Sequence, residues 1–327
     1  MMINAYNTEI GSDIDKAKRF LDNDEIVAIP TETVYGVAAN AFKTEAVEKI
    51  FIAKNRPFYN PLIVHIGDLE ALKDIVKDIP LKAQMLIDQF SPGPLTILLP
   101  KKDIIPDMVT AGSPLVAVRI PSHPVAKKLL QKLNYPLVAP SANIFGSISP
   151  INPTHVLKQL GGKIPYILDG GNCDLGIEST IIGFEGTIPV IYRFGCITKD
   201  MMENIIGPVT VHTSKTTMLV APGMLNHHYS PVTPLYLTED TADAISRYNQ
   251  TEMGLISFSK YSKVLPIKQQ IVLSFSANID EAAHNLYAAM YRMDESKYKV
   301  IIVQEMPDIG VGQAINDRLR RASINKP

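Results

Sequence analysis

Lys54 and Arg56 stand two residues apart, immediately before Pro57. Pro57 cannot continue a helix and biases Arg56 towards an extended conformation. An ammonium beside a guanidinium repels unless an anion neutralises both. Phosphate is the usual anion, met by lysine as a point charge and by arginine as a bidentate fork. The same pair also suits a plain helix C-terminus, where positive charge is favourable without any ligand. The polar company of Thr33, Asn60 and His65 favours the anion. Arg119 poses a second question, because it interrupts the apolar run 115–120. An arginine in such a strand must find an anion or a rich set of acceptors. A structural salt bridge would serve as well as a ligand. Pro140-Ser141-Ala142-Asn143 follows another apolar run, where hydroxyl, amide and backbone N–H groups can converge on oxygen. Taken alone it is also an ordinary turn, and a lone strand histidine such as His65 is more often buried structure than ligand.

The elements that must position these residues are readable in outline. Ala46, Val47, Ile50, Phe51 and Ala53 make a helical face, predicting a helix from about residue 44 to 53. Strand-like runs flank it at 26–30 and 62–66. Ser12 is the expected N-cap of a helix with Ile14, Ala17, Phe20 and Leu21 on its core face. Further helices are expected at 68–76, 81–90, 124–132 and 153–160, and further strands at 95–99, 115–120, 136–139, 164–168, 181–184 and 190–192. Pro92-Gly93-Pro94 reads as a rigid turn into a strand. This alternation predicts an α/β domain over residues 1–208. Residues 209–232 are polar and proline-bounded, and read as an interdomain linker. Its adjacent His227 and His228 invite a metal site, but no carboxylate or cysteine beside them supports zinc, and no metal ligands are assigned. From 233 to 327 strand and helix signals alternate again, predicting a smaller α/β, Rossmann-like domain. It carries neither GxGxxG nor GxxxxGK[ST]. Arg318, Arg320 and Arg321 end its last helix, where the dipole favours positive charge; a weak tRNA contact is the alternative.

The chain has 327 residues, 46% hydrophobic and 20% charged, with a formal net charge of −1. That length suggests two domains. The balance argues against broad nucleic-acid or anionic-membrane binding, which needs a large basic surface. Cys173 and Cys196 form no CxxC pair, which fits a reducing, cytoplasmic setting. No apolar run is long enough to span a bilayer and no signal peptide is legible, so no membrane association is expected.

Several stretches carry a resemblance. PTETVYGVAANA at 30–41, KNRPFYNPLIVH at 54–65, FSPGPLTILLP at 90–100, VAVRIPSHP at 116–124, PSANIFGSISP at 140–150 and LDGGNCDLGIESTII at 168–182 occur in the order found in the YrdC-like family. The chain resembles the longer, threonylcarbamoyl-AMP synthase form of that family. The resemblance implies a twisted mixed sheet with surrounding helices and a large concave cleft, the linker lying over it. It implies a reaction of L-threonine, bicarbonate or CO2, and ATP, with Mg2+ carried by the nucleotide and a downstream tRNA-modifying transferase as recipient of the product. A carbamoyl transferase using carbamoyl phosphate, or a non-catalytic RNA-binding module, are the competing functions.

Residue by residue, the resemblance puts Lys54, Arg56, Ser141 and Asn143 at the chemistry. ATP would also meet Asn60, Leu115, Ser149, Arg193 and Tyr229. L-threonine would meet Thr33, His65, Arg119, the backbone at Ala139, and Ser179. Two positions depart from the family pattern. Leu115 stands where a hydroxyl residue is usual, leaving a backbone contact as the substitute, and Phe194 stands where proline is usual.

Overall fold

The computed structural model describes residues 6–213, 221–223 and 228–324. The chain divides into two compact units: Met1–Phe145, Pro150–Asp174 and Glu178–Met224 form the first, and Gly146–Ser149, Leu175–Ile177 and Leu225–Pro327 the second.

The first unit is built on one sheet. In chain order its strands are β1 (Glu9–Gly11), β2 (Val27–Ile29), β3 (Gly36–Asn40), β4 (Ile63–His65), β5 (Leu95–Pro100), β6 (Leu115–Arg119), β7 (Leu137–Val138), β8 (Tyr166–Leu168), β9 (Thr180–Glu185), β10 (Ile188–Arg193) and β11 (Thr210–Val211). They lie side by side as β1-β8-β2-β3-β7-β4-β6-β5-β9-β10-β11. The sheet is mixed: β4 runs parallel to β6 and β5 to β9, while β2–β3, β3–β7, β4–β7, β5–β6 and β9–β10 are antiparallel. Every residue of β2, β3 and β4 is buried, which is why β2 and β4 read as apolar runs rather than alternations. Helices α1 (Ile14–Asp22), α2 (Thr44–Lys54), α3 (Glu70–Ile75), α4 (Leu81–Phe90), α5 (Asp107–Thr110), α6 (Pro124–Lys132), α7 (Pro153–Leu160) and α8 (Lys199–Ile206) complete it. One core joins α1 and α6 to the sheet through Ala17, Leu21, Leu129, Val27, Ile29 and Tyr166.

Two local expectations differ from this structure, and one strand was not expected. Residues 36–40 form strand β3, held by pairing with β2 and β7 on either side. Asp13, not Ser12, caps α1: its carboxylate accepts from the Lys16 N–H at 2.9 Å. Residues 210–211, expected in the linker, form β11 parallel to β10, with the His212 N–H donating to the Ile191 carbonyl. The rest of the expected linker lies partly outside the described residues, at 214–220 and 224–227, His227 included.

The second unit holds a wholly parallel sheet of β12 (Leu235–Thr238), β13 (Met253–Ser257), β14 (Gln270–Val272) and β15 (Val300–Gln304), ordered β12-β15-β13-β14. Helices α9 (Thr241–Ser246), α10 (Ile279–Glu295) and α11 (Gly312–Ala322) connect and follow its strands. Residues 146–149 belong to this unit because Ser147 pairs with Ser230, and the Tyr291 hydroxyl donates to the Ile148 carbonyl. Tyr229 is buried here with a left-handed backbone (φ 66°), its ring 5.1 Å from the Arg318 guanidinium. The basic end of α11 is internally paired: Arg318 and Arg321 meet Asp317, and Arg320 meets Glu305. Among the described residues no helix is long and apolar enough to cross a membrane.

Candidate active site

Helix α2 sets the first group. Lys54 is its last helical residue, and the helix stops at Asn55, which adopts a left-handed conformation with φ 53°. Asparagine tolerates that conformation better than most residues. The turn is therefore complete before Pro57, with the Arg56 N–H returned to the Phe51 carbonyl at 2.9 Å. Lys54 is buried, and its ammonium donates to the carbonyls of Ser141 and of Asn143, the latter at 2.6 Å. It also lies 3.4 Å from the Asn143 side-chain oxygen. The Arg56 guanidinium donates to the carbonyls of Asn60 (3.3 Å) and Pro61 (2.8 Å). Burial, reinforced by the charge of Arg56, lowers the Lys54 pKa well below the ordinary lysine value. Among the described residues, the buried Asn60 amide has no hydrogen-bond partner at either end.

The 141–143 loop reaches Lys54 because β3 holds it. Gly36 bridges to Ser141, the Val37 N–H donates to the Pro140 carbonyl, and the Ala142 N–H to the Tyr35 carbonyl. The Lys54 carbonyl in turn accepts from the Phe145 N–H at 2.8 Å. Strand β7 also delivers Ala139, whose N–H is taken by the Ile63 carbonyl, so a ligand would meet its carbonyl side.

A second group lies across three adjacent strands. His65 on β4 pairs in register with Arg119 on β6, which pairs with Thr96 on β5. In-register neighbours share a face of the sheet. Arg119 is 5% exposed. It donates through Nη1 to the Thr33 hydroxyl (2.9 Å) and through Nε to the Gly93 carbonyl (3.3 Å). Its Nη2 lies 2.7 Å from Glu32 Oε1. That last contact is an ion pair without hydrogen-bond alignment: among the described residues, Nη2 and both Glu32 oxygens lack a well-aligned hydrogen-bond partner. Burial alone would raise the Glu32 carboxyl, but the Arg119 guanidinium outweighs it and holds the pKa below the usual carboxylate range. Burial, with Arg119 beside it, pushes His65 down to about 3, so its imidazole is neutral at physiological pH. Its Nδ1 is 3.2 Å from the Ile63 carbonyl.

Ser179, just before β9, is fully buried. Its hydroxyl is 2.7 Å from that of Thr96 and accepts from Arg193 Nη2 at 3.0 Å, while its carbonyl accepts from Arg193 Nε. The Arg193-Phe194-Gly195 turn packs so closely here that a Cβ on Gly195 would lie 2.4 Å from the Thr180 nitrogen. The structure thus gathers Lys54 with Ser141 and Asn143, Arg56 with Asn60, Arg119 with Thr33 and His65, and Ser179 with Arg193. Leu115 is half-buried, and its N–H is held by the Ser113 hydroxyl at 3.1 Å. Ser149 and Tyr229 belong to the second unit. Glu32 and Thr96 were not singled out from sequence. Glu32 had a legible signal, being the acid of the PTETVYG stretch while Arg119 required an anion.

Two families of known proteins match successive parts of the chain. The family described as "Telomere recombination", which groups Sua5, YciO and YrdC proteins, matches residues 19–195. The family described as "Threonylcarbamoyl-AMP synthase, C-terminal domain" matches residues 197–323. The threonylcarbamoyl-AMP synthase of Bacillus subtilis is 40% identical over 320 residues, covering 95% of this chain and 92% of that protein. The one from Pyrococcus abyssi is 38% identical over 317 residues, 94% of this chain and 93% of its own. The crystal structure of P. abyssi Sua5 complexed with L-threonine matches at a TM-score of 0.87 and 36% identity, covering 97% of this chain and 96% of that one. With likeness of this extent through both units, the chain belongs to the threonylcarbamoyl-AMP synthase family.

Proposed function

We propose that this chain joins L-threonine, bicarbonate or CO2, and ATP into L-threonylcarbamoyl-AMP and pyrophosphate, supplying threonylcarbamoyladenosine modification of tRNA. The observation that carries this reading is the meeting of buried Lys54 with the 141–143 loop, next to the strands bearing His65 and Arg119. A buried ammonium held by neutral oxygens suits phosphate; a buried guanidinium beside a threonine hydroxyl suits an amino-acid carboxylate.

In this reading Lys54, Arg56, Asn60, Ser141 and Asn143 hold the phosphates. Arg119, Thr33, Ser179, the Ala139 carbonyl and neutral His65 hold the amino acid. The threonine amine captures carbon dioxide as a carbamate, a carbamate oxygen attacks the α-phosphorus, and pyrophosphate leaves. The protein contributes positioning and charge neutralisation to an in-line displacement. Mg2+ would arrive with ATP. The groups around Lys54 are cationic or neutral, so phosphate oxygens would be the magnesium ligands. The product is a labile mixed anhydride, so a downstream tRNA-modifying transferase is its natural recipient. The ion-paired arginines of α11 give a direct tRNA contact little support.

The test is pyrophosphate release from ATP, with each co-substrate omitted in turn. Release that requires both L-threonine and bicarbonate is expected. Release indifferent to threonine, or turnover of carbamoyl phosphate instead, would overturn the reading.

A further inference from the structure

The pair formed by Glu32 and Arg119 has hydrogen-bonding capacity left over on both sides. Arg119 is clamped by Thr33 and Gly93 through Nη1 and Nε, but Nη2 makes no aligned bond. The Glu32 carboxylate is 4% exposed and lies 2.7 Å from that nitrogen; the backbone N–H groups of Glu32 and Ser122 also favour its charge, but among the described residues neither oxygen receives a well-aligned hydrogen bond. A buried donor and two buried acceptors of opposite charge therefore sit side by side. Leaving them unmet is unfavourable by the desolvation of each group. A carboxylate ligand alone would satisfy Arg119 but press a second anion against Glu32. A ligand carrying a carboxylate and an ammonium on one carbon satisfies both.

Resting on the amino-acid role assigned to Arg119 above, we propose that Glu32 is a specificity residue of this pocket. It is the counter-charge for the substrate's amino group, so that the Glu32–Arg119 pair selects a zwitterion over a simple anion. Arg119 receives the carboxylate and Glu32 the ammonium. Thr33, which holds Nη1, fixes the guanidinium with Nη2 beside Glu32.

The test compares two ligands on the full-length protein by calorimetry: L-threonine and 3-hydroxybutyrate, which is threonine without its amine. Wild type is expected to prefer threonine. Glu32→Gln keeps the shape but removes the charge, and should reduce that preference by at least about tenfold, the lower end for a hydrogen bond to a charged group. Equal weakening of both ligands would overturn the proposal, since Glu32 would then act only by holding Arg119. So would an unchanged preference. If Glu32→Gln lacks a native melting transition, Glu32→Asp takes its place: it keeps the charge for folding but withdraws it by one methylene, and should lose part of the preference. Failure of wild type to bind threonine at all would instead remove the amino-acid reading on which this rests.

Discussion

Two buried cations in the first unit are treated in opposite ways. Lys54 is surrounded by carbonyl oxygens and, among the described residues, has no carboxylate partner. Arg119 lies against a carboxylate as buried as itself. A desolvated charge held only by dipoles stays short of compensation, and its lysine pKa falls accordingly. A charge beside its counter-ion is nearly balanced, so the next ligand must be balanced too. On the proposed function, the first arrangement would receive the nucleotide's phosphates and the second the net-neutral amino acid.

The comparison breaks most visibly in activity. Lys54→Met should cut pyrophosphate release by about 10²–10³-fold, the range for removing one preorganised electrostatic contact. Its melting temperature should change little, because the lost hydrogen bonds are offset by relief of a desolvated charge. A large loss of stability together with activity would show that Lys54 is structural. The reverse pattern is expected at the other cation. Arg119→Leu leaves Glu32 buried without its partner and should destabilise the fold by about 3–5 kcal/mol in denaturant titration. Adding Glu32→Leu should recover most of that. A double variant no more stable than Arg119→Leu alone would remove the charge-balance account.

The smallest effect is a proton. Lys54 has its pKa lowered in the folded protein, so part of its charge is given up as pH rises towards the ordinary lysine value near 10.5. Bound phosphate favours the protonated form and raises the pKa again. ATP binding should therefore take up protons in the window between the lowered value and the ordinary one. Calorimetry in buffers of different ionisation enthalpy measures this uptake; it should vanish in Lys54→Met, and proton release would contradict the assignment.

The elements around the site were legible where a local pattern sufficed. The apolar face of α2 sets that helix to within one residue. The parallel strands and long helices of the second unit fall close to where their runs of valine, leucine and isoleucine place them. Strand β3 was not legible, since small residues such as Ala38 and Ala39 become a strand only through neighbours supplied by β2 and by the distant β7. The 141–143 loop depends on that strand, so the way it is delivered to Lys54 was hidden as well.

The sequence alone determined which chemistries were available: lysine and arginine before a proline, an arginine that needed an anion, and a Ser-x-Asn turn after a strand. These follow from residue type and short spacing, which are local properties. It also carried the family resemblance, because ordered motifs are written directly in the chain. The tertiary structure decided the partners. That Arg119 meets Glu32, Thr33 and Gly93, that Ser179 is gripped by Arg193 and Thr96, and that Lys54 reaches the 141–143 loop are pairings across the sheet. Strand order and register set such contacts, and both arise from the burial of the whole apolar surface rather than from any one segment.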